Sequence, residues 1–509
     1  MLDLGTSFLA SVERDPRALA IVDDDVRLTY ADWYRRISAV ADALGNLGLT
    51  SGDHLLTVLP NRWQAATLHW ACQFTGVILT PVNWRVTAAE LDFLVENSDA
   101  KAIVYDPIAA TSVAQSVQAQ NRARVALEAP KSGETAWTAL VERKAPDAVP
   151  HATADAWSIM LYTSGTTAQP KGVPRRHSAE RAAALAHVAQ NMFANGERTL
   201  GVMPLYHTMG VRSLLAMSLI GGTFVCLARF NVQKALALIA AEKISNLYLV
   251  PTLYHDLVHH ERFAAADVRS VRKLGFAGAP MTDGLLKALQ AAFKPELFVN
   301  HYGSSEIYTF TIDQNAPAKP GSAGRAGINQ RVRVVRLGAT SPDQVAAAGE
   351  EGEVIAQLMS DEAFEGYWRR PEADAKAIRK GWYFTGDTGY FDPDGDLFVT
   401  GRVDDMIISG GENIFPEEVE DTLNRSKLVA GCAVVGMPDE RLGAKVVAFV
   451  EPAVGNLAPE QLDEVCLASG LARFKRPREY VLVKSVPRSA SGKLLRRKLR
   501  TGEYEKFEN

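Results

Sequence analysis

The stretch from Tyr162 to Gly172 reads YTSGTTAQPKG and combines hydroxyl side chains, a glycine and one lysine. Backbone N–H groups and hydroxyls in such a loop can bind phosphate oxygens, and a lysine adds positive charge. The alternative is a solvated loop rich in serine, threonine and glycine. The candidate phosphate-binding residues are Thr163, Ser164, Gly165, Thr166, Thr167 and Lys171.

This loop is not a Walker A sequence, which requires G-x-x-x-x-G-K-[ST]. Counted from Gly165, Pro170 stands where the second glycine belongs, and Gly172 follows the lysine in place of serine or threonine. The pattern therefore indicates nucleotide chemistry different from that of the P-loop enzymes.

Short apolar runs that predict strands alternate with helical stretches over the first 300 residues. WSIMLY directly precedes the loop, and RLTYADWYRRISAVADALGNLGL predicts a strand followed by a helix that begins near Thr29 or Asp32 and ends near Gly48. Such alternation predicts an α/β fold with sheets covered by helices. Further predicted strands are HLLTVLP, AIVYD, TLGVMPL, GTFVCL, NLYLVP, RKLGFAG and ELFVNHYG.

After about residue 320 the pattern changes to shorter strands and turns. DPDGDLFVTGR, with Asp394-Gly395 between two extended runs, predicts a β-hairpin. The last segment, about 405–509, predicts a compact α+β unit from the helices EEVEDTLNR and QLDEVCLAS and the strands GCAVVGM, KVVAFVE and EYVLV.

Composition excludes several classes of protein. The 509 residues suffice for more than one domain, and 47% hydrophobic with 22% charged residues is ordinary for a globular chain. A net charge of -4 gives no bulk preference for nucleic acid or anionic membrane. The four cysteines match no metal-ligand spacing, which favours reduced thiols.

The N-terminal stretch MLDLGTSFLASVERDP predicts an amphipathic helix rather than a signal peptide. No apolar run is long enough to span a membrane. We therefore expect a cytoplasmic protein.

Four more motifs follow in order: HYGSSE (301–306), GWYFTGDTG (381–389), GRVDDMIISGGENIFPEEVE (401–420) and PRSASGKLLRRKL (487–499). With YTSGTTAQPKG they resemble the adenylate-forming superfamily of acyl- and aryl-CoA synthetases, luciferases and nonribosomal-peptide adenylation domains. The resemblance covers nearly the whole chain. GRVDDMIISGGENI and the FKRP segment (474–477) are similar to bacterial aryl- and acyl-CoA ligases, notably 4-chlorobenzoate–CoA ligase.

The resemblance implies that a carboxylate attacks the α-phosphorus of ATP and expels pyrophosphate. The family's loop, YTSGTTGxPKG, holds the β- and γ-phosphates, and here Ala168 replaces a glycine. Because a methyl group restricts the backbone, we expect weaker ATP binding or slower loop closure, without loss of activity.

Within HYGSSE, the resemblance implies that Glu306 is the Mg²⁺ carboxylate and that Tyr302 stacks on adenine. Ser305 replaces the family's threonine and keeps its hydroxyl. A lone glutamate would otherwise be read as a surface charge. The same resemblance implies three further residues that bind the adenylate and also border the acid pocket: Gly278, Ala279 and Gly303.

The resemblance further implies that Asp387 binds the ribose hydroxyls and that Arg402 lies near ribose and phosphate; without it, Asp387 would be a turn residue. Lys493 would bridge the acid carboxylate and the α-phosphate during adenylation, the alternative being a solvated lysine. We expect its basic neighbours to be solvated. They are Arg496, Arg497 and Lys498.

Asp404 matches the family's hinge position. We therefore predict an N-terminal domain over 1–403, with a β-rich subdomain, and a small mobile α+β domain over 404–509. The swing of this 404–509 domain would bring the Gly410-Gly411-Glu412-Asn413 loop to a pantetheine tunnel.

The same resemblance implies where CoA binds. The alternatives are a plain turn for Gly410-Gly411 and a solvated basic loop for 474–478. Leu442 replaces a tryptophan that contacts the CoA adenine in the chlorobenzoate enzyme. The candidate CoA contacts are Arg85, Gly410, Gly411, Glu412, Phe474, Arg476 and Arg478.

The acid pocket is carried over by the same resemblance, with His207 as an aromatic gate and a catalytic candidate. His301 replaces an aliphatic residue and Arg212 lies nearby, so either a polar substituent of the acid meets them or both bond only to protein. The first alternative favours an aromatic or small acid with a polar group such as hydroxyl. The pocket residues are His207, Tyr248, His301, Gly303, Tyr308 and Thr309.

The sequence thus predicts an acid–CoA ligase that uses ATP, Mg²⁺ and coenzyme A, with a carboxylic acid and CoA as partners and a homodimer as the family-level expectation. An enzyme that loads a carrier protein and a non-catalytic adenylate-binding regulator are the alternatives. The basic segment from Phe474 to Arg478 favours free CoA, because a carrier protein brings no 3′-phosphate. The joint presence of the predicted catalytic residues disfavours the regulator.

Overall fold

A computed structural model of the chain describes residues 2–163, 170–409, 412–453, 455–469, 471–488 and 494–507. These residues fall into two compact units. The first unit is Met1–Val332 with Gln357–Tyr383, and the second is Arg333–Ala356 with Phe384–Asn509. The predicted boundary at residue 404 concerns which segment moves, and it stays a prediction.

The helices are α1 Leu4–Arg14, α2 Tyr30–Asn46, α3 Trp63–Thr75, α4 Ala88–Ser98, α5 Ala110–Gln115, α6 Val117–Gln120, α7 Trp137–Val141, α8 His177–Gln190, α9 Thr208–Leu219, α10 Val232–Ala241, α11 Pro251–Val258, α12 Asp283–Phe293, α13 Pro371–Ala377, α14 Pro416–Asn424, α15 Pro459–Ala468 and α16 Arg496–Arg500.

The strands are β1 Leu19–Asp23, β2 Val26–Thr29, β3 His54–Val58, β4 Ile78–Pro81, β5 Ala102–Tyr105, β6 Ala123–Ala126, β7 Thr135–Ala136, β8 Trp157–Thr163, β9 Lys171–Arg176, β10 Arg198–Gly201, β11 Thr223–Cys226, β12 Asn246–Leu249, β13 Lys273–Ala277, β14 Leu297–Tyr302, β15 Thr311–Asp313, β16 Ser322–Ala326, β17 Val332–Arg336, β18 Gly352–Gln357, β19 Ile378–Arg379, β20 Trp382–Phe391, β21 Leu397–Arg402, β22 Ile407–Ser409, β23 Glu412–Ile414, β24 Val429–Asp439, β25 Gly443–Pro452 and β26 Glu479–Leu482.

The first unit contains two helix-covered sheets. One has the order β16-β15-β14-β13-β12-β10-β11-β1-β2, with parallel pairing from β14 to β1. The other has the order β7-β6-β5-β3-β4-β8-β9, in which the last pair is antiparallel. The predicted α/β class is confirmed, since each apolar run named above forms a strand.

Local sequence signals determine where the helices begin. Thr29 and Asp32 form a reciprocal capping box at the start of α2, and Thr87 and Glu90 form one at α4. The predicted N-terminal amphipathic helix is α1, whose Phe8 ring packs 4.6 Å from the ring of Trp70. Aromatic burial therefore holds α1 against α3.

In the second unit, four strands follow the order β17-β18-β20-β21, and β20 and β21 form the predicted hairpin around Asp394-Gly395. β24-β25-β26 form a sheet whose core includes Val434, Val446 and Leu462. This part confirms the predicted α+β segment. Among the described residues of both units, no helix has the length and apolar character to cross a membrane.

Candidate active site

The β8–β9 hairpin carries the predicted phosphate loop. Thr163 and Lys171 are cross-strand partners at its open end, so the loop between them begins and ends at one place. The ammonium of Lys171 lies 4.1 Å from the ring centroid of Tyr367. The predicted loop residues between them, Ser164, Gly165, Thr166 and Thr167, and the substituted Ala168 lie outside the described residues.

Glu306 lies in a tight turn that follows β14. A Cβ on Gly303 would lie 2.1 Å from the carbonyl oxygen of Tyr308, so only glycine permits this close approach. Ser304 closes the turn, because its N–H donates to Ile307 O at 2.9 Å and its Oγ accepts from Glu306 N at 3.2 Å. The turn presents a buried carboxylate at the end of a parallel strand, the usual location of ligand sites in such sheets.

Tyr367 joins Lys171 to Glu306, and sequence reasoning missed it. Its hydroxyl donates to Glu306 Oε1 at 2.7 Å, while its ring faces the ammonium of Lys171. Burial, and next the charge of Glu306, raise the pKa of Tyr367, so the phenol stays a donor. The segment EGYWRR was the available signal, an aromatic pair directly after a glycine.

The backbone holds this segment against the hairpin and the turn. Trp368 N donates to Gly172 O at 2.9 Å, and Phe364 N donates to Glu306 O at 2.8 Å. Lys171, Glu306 and Tyr367 are thereby brought together in the first unit. A buried carboxylate beside a phosphate-loop lysine is the kind of hard oxygen ligand that Mg²⁺ takes together with nucleotide phosphates.

Arg175 supports the turn from the protein interior. It is fully buried, forms an ion pair with Glu180, and donates from Nη1 to Glu306 O at 3.1 Å. Its guanidinium also lies 3.9 Å from the ring centroid of Tyr308. A buried, paired arginine thus positions the backbone of the candidate metal ligand.

The remaining nucleotide candidates of the first unit lie on the neighbouring strands. Tyr302 ends β14 with its ring 5.1 Å from that of Phe310, and Ser305 lies in the Glu306 turn. Gly278 and Ala279 follow β13 and are exposed, and Gly278 has a φ of +85°, which favours glycine.

In the second unit, Asp387 and Arg402 are cross-strand partners on β20 and β21 and form an ion pair. Arg402 Nη1 also donates to Thr385 O at 3.2 Å, and Asp387 N donates to Thr385 Oγ1 at 3.0 Å. The two residues assigned to ribose and phosphate are therefore held together by the hairpin itself.

The expectation that Arg496 is solvated is wrong. Its side chain is buried and pairs with Asp405 at 3.1 Å, Glu417 at 2.9 Å and Glu420 at 2.8 Å. Pairing with three carboxylates compensates the cost of burying a guanidinium. Arg497 is exposed and Lys498 half-buried.

Arg496 lies near two predicted functional positions, one in the sequence and one through an ion pair. It lies three residues after Lys493, which is outside the described residues, and pairs with Asp405, the neighbour of the predicted hinge residue. That residue, Asp404, is itself exposed in the turn after β21.

The CoA candidates divide between the units. In the first, Arg85 is exposed and stacks 3.7 Å from the ring centroid of Trp84. In the second, Phe474 and Arg478 are exposed and Arg476 lies 3.7 Å from Asp463. Glu412 begins β23 and is exposed, Leu442 is half-buried, and Gly410 and Gly411 lie outside the described residues.

The acid-pocket candidates lie at the ends of β12 and β14 and the start of α9. His207 precedes α9, and burial lowers the pKa of its ring to about 4, so it is neutral near pH 7. Arg212 donates to Thr309 Oγ1 at 2.6 Å, to Tyr248 Oη at 2.6 Å and to Tyr308 O at 3.3 Å. Its terminal nitrogens thus bond to protein, as one of the two alternatives expects.

Two family models match the chain. Residues 8–368 match the family model of the AMP-binding enzymes, and residues 418–493 match that of the AMP-binding enzyme C-terminal domain. The chain belongs to the family of AMP-binding enzymes. The adenylate-forming resemblance of its motifs is confirmed.

This AMP-binding enzyme is similar to several known proteins over nearly its whole length. It is 32% identical to a 4-chlorobenzoate–CoA ligase of Arthrobacter sp., covering 96% of this chain and 93% of the relative. It is 31% identical to the long-chain-fatty-acid–CoA ligase FadD13 of Mycobacterium tuberculosis, covering 98% of each. The crystal structure of ATP-bound MatB from Rhodopseudomonas palustris superposes with a TM-score of 0.89 at 26% identity, covering 98% of this chain and 99% of that one.

Proposed function

We propose that this AMP-binding enzyme is an AMP-forming acid–CoA ligase. The carboxylate of the substrate attacks the α-phosphorus of ATP, so that a carboxyl O–P bond forms and the P–O bond to pyrophosphate breaks. The thiol of CoA then loses its proton, its sulfur bonds to the acyl carbon, and AMP leaves. The observation that carries this proposal is the Tyr367 side chain, whose ring faces Lys171 on the β8–β9 hairpin and whose hydroxyl donates to Glu306.

Each proposed role follows from the chemistry of the residue. Lys171 neutralises phosphate charge, Glu306 would hold Mg²⁺, and Tyr367 orients that carboxylate. Bound Mg²⁺ would neutralise charge on the phosphates and the leaving pyrophosphate. Lys493 would stabilise charge that develops between the acid and the α-phosphate.

In the second unit, the Arg402–Asp387 pair is proposed to bind the ribose, whose hydroxyls would donate hydrogen bonds to the carboxylate of Asp387. Asp404 is the proposed hinge, and the swing of residues 404–509 would exchange Lys493 for the 410–413 loop. We propose CoA contacts from Arg85, Phe474, Arg476 and Arg478, since guanidinium groups suit phosphates.

The acid is proposed to be aromatic or small with a polar substituent. Among the buried polar groups of the pocket, Tyr248 and Thr309 already bond to Arg212, whereas Nδ1 of His301 has no hydrogen-bond partner among the described residues, and a purely apolar chain would leave it unpaired. Homodimer formation and a cytoplasmic location remain part of the proposal.

Mass spectrometry of purified protein with ATP, Mg²⁺, CoA and a pool of carboxylic acids tests the proposal. The pool spans benzoates, hydroxybenzoates, short hydroxy acids and medium-chain fatty acids. A dominant acyl-CoA with equal AMP and pyrophosphate is the expected result. Pyrophosphate and AMP without a thioester would favour loading of a carrier protein, and no product from any acid would favour the adenylate-binding regulator.

A further inference from the structure

A buried cluster of three rings and one amide lies in the first unit beside the proposed acid pocket. His187 and Asn191 come from the end of α8, Tyr248 from β12 and His301 from β14. None is more than 3% exposed. The His187 ring lies 4.8 Å from that of Tyr248 and 5.2 Å from that of His301. Two of these residues, His187 and Asn191, have no role in the resemblance.

The amide of Asn191 has one possible orientation. Its Nδ2 donates to the carbonyl oxygen of His187 at 2.8 Å, and an oxygen at that position would face another acceptor. Nδ2 also lies 2.9 Å from His187 Nδ1, and Oδ1 lies 3.1 Å from His301 Nε2. One amide therefore contacts both histidines with atoms of known donor and acceptor character.

These contacts fix the tautomer of each histidine. His187 Nδ1 accepts from Asn191, so the ring proton is on Nε2; His301 Nε2 donates to Asn191, so its proton is there. Burial, and next the charge of Arg212, lower the pKa of both rings well below the ordinary value. Both rings are thus neutral, and His301 Nδ1 is left as an acceptor.

Two ring nitrogens of this cluster remain unpaired, one of them a donor and the other an acceptor. His187 Nε2–H and His301 Nδ1 are buried and have no hydrogen-bond partner among the described residues of the chain. Leaving such groups unpaired costs free energy, so a bound group that pairs both would be favoured.

We propose that these two nitrogens bind a hydroxyl group of the carboxylic acid substrate, with the oxygen accepting from His187 and its hydrogen donated to His301. This inference rests on the proposed function and adds His187 and Asn191 as specificity-determining and positioning residues. A hydroxyl is suited to the pair because it is at once donor and acceptor. A carboxylate, methoxy or halogen has no hydrogen for His301, and the positive charge of Arg212 disfavours an ammonium group.

The test is the pyrophosphate release rate with ATP, Mg²⁺ and matched acids: benzoate, 3-phenylpropanoate, and their ring-hydroxylated and ring-methoxylated derivatives. The wild-type protein is expected to show a kcat/KM about 10-fold or more higher for one hydroxylated acid than for its methoxy counterpart. In His301→Leu and His187→Phe this ratio is expected to fall to about one, and His187→Gln, which keeps an N–H donor, to restore part of it.

Asn191→Leu tests the positioning role, because without the amide neither His187 nor His301 is held in one tautomer. We expect the ratio of kcat/KM between the hydroxylated and the methoxylated acid to fall, and the KM for ATP to stay unchanged. His69→Gln is the matched control, because His69 is also buried with an unpaired Nε2 but lies on α3 outside the cluster. A wild-type protein that turns over these acids without hydroxyl preference would overturn the inference and leave the ligase function standing. So would an equal loss with every acid in His301→Leu. Pyrophosphate release with none of these aromatic acids but with another acid of the product screen would overturn this inference alone, and release with no acid of either set would overturn both.

Discussion

The hydroxyl of Tyr367 donates to Oε1 of Glu306 across 2.7 Å, although the two residues are 61 positions apart in the chain. The same phenol ring faces the ammonium of Lys171. One aromatic side chain therefore contacts both the lysine of the predicted phosphate loop and the carboxylate proposed to hold Mg²⁺. A carboxylate with a fixed orientation binds a metal more tightly than a mobile one.

Tyr367→Phe removes this hydrogen bond and keeps the ring that faces Lys171. Because hydrogen bonds to charged groups contribute about 1.5–3 kcal/mol, we expect kcat/KM for ATP to fall by about 10-fold or more. The Mg²⁺ concentration for half-maximal pyrophosphate release should rise as well.

Tyr383→Phe is the control for this change. Its hydroxyl lies 3.4 Å from that of Tyr367, and the change keeps the hydrogen bond from Tyr367 to Glu306, so the Mg²⁺ dependence should stay close to wild type. An unchanged Mg²⁺ requirement in Tyr367→Phe would contradict the orienting role.

Arg496→Leu should destabilise the second unit strongly. The variant leaves the buried Glu420 and the half-buried Glu417 without their cation, and breaking a buried pair in this way costs about 3–5 kcal/mol. Denaturant unfolding checks this, with Arg497→Leu as the exposed neighbour. Equal midpoints for the two variants would show that the buried pairs contribute nothing.

Glu417 should make stability depend on pH. Burial raises its pKa to about 7 from an ordinary 4.5, although Arg496 opposes this shift. Between these values the folded state binds more protons than the unfolded state, so the contribution is full below about pH 4.5 and is lost as pH rises through about 7.

We therefore expect the melting temperature of the wild-type protein to fall more between pH 5 and pH 8 than that of Glu417→Gln. Glu418→Gln is the control, since Glu418 is more exposed and pairs with Lys475. Parallel pH curves for wild type and Glu417→Gln would refute the assignment.

Local patterns in the sequence predicted most of the fold. Thr29 and Asp32 determine the start of α2 through contacts three residues apart, and the apolar runs of β12 and β13 are buried as whole strands. Such features depend on neighbours along the chain, which a sequence displays directly.

The missed residues depend on partners that are distant in sequence. Arg496 belongs to a basic run that is typical of a solvated tail, and only Asp405, Glu417 and Glu420 make its burial possible. The i, i+4 spacing of His187 and Asn191 was visible, but the partner His301 lies 110 positions away from Asn191. Tertiary pairing, rather than composition, decides the role of such side chains.

Lys493→Ala should separate the two half-reactions. We expect pyrophosphate release from ATP and acid to fall by about 100-fold or more, since the lysine charge would act on the adenylation transition state. Thioester formation from preformed acyl-adenylate and CoA should be retained. Lys498→Ala is the control, and equal loss of both half-reactions in Lys493→Ala would contradict the assignment.

The most direct measurement follows oxygen-18 from the carboxylate of the acid that the product screen identifies. If the carboxylate attacks the α-phosphorus and CoA then displaces AMP, one labelled oxygen must appear in AMP and none in pyrophosphate, in an amount equal to the acyl-CoA formed. Label in pyrophosphate or inorganic phosphate, or acyl-CoA formed with unlabelled AMP, would contradict the proposed AMP-forming ligase.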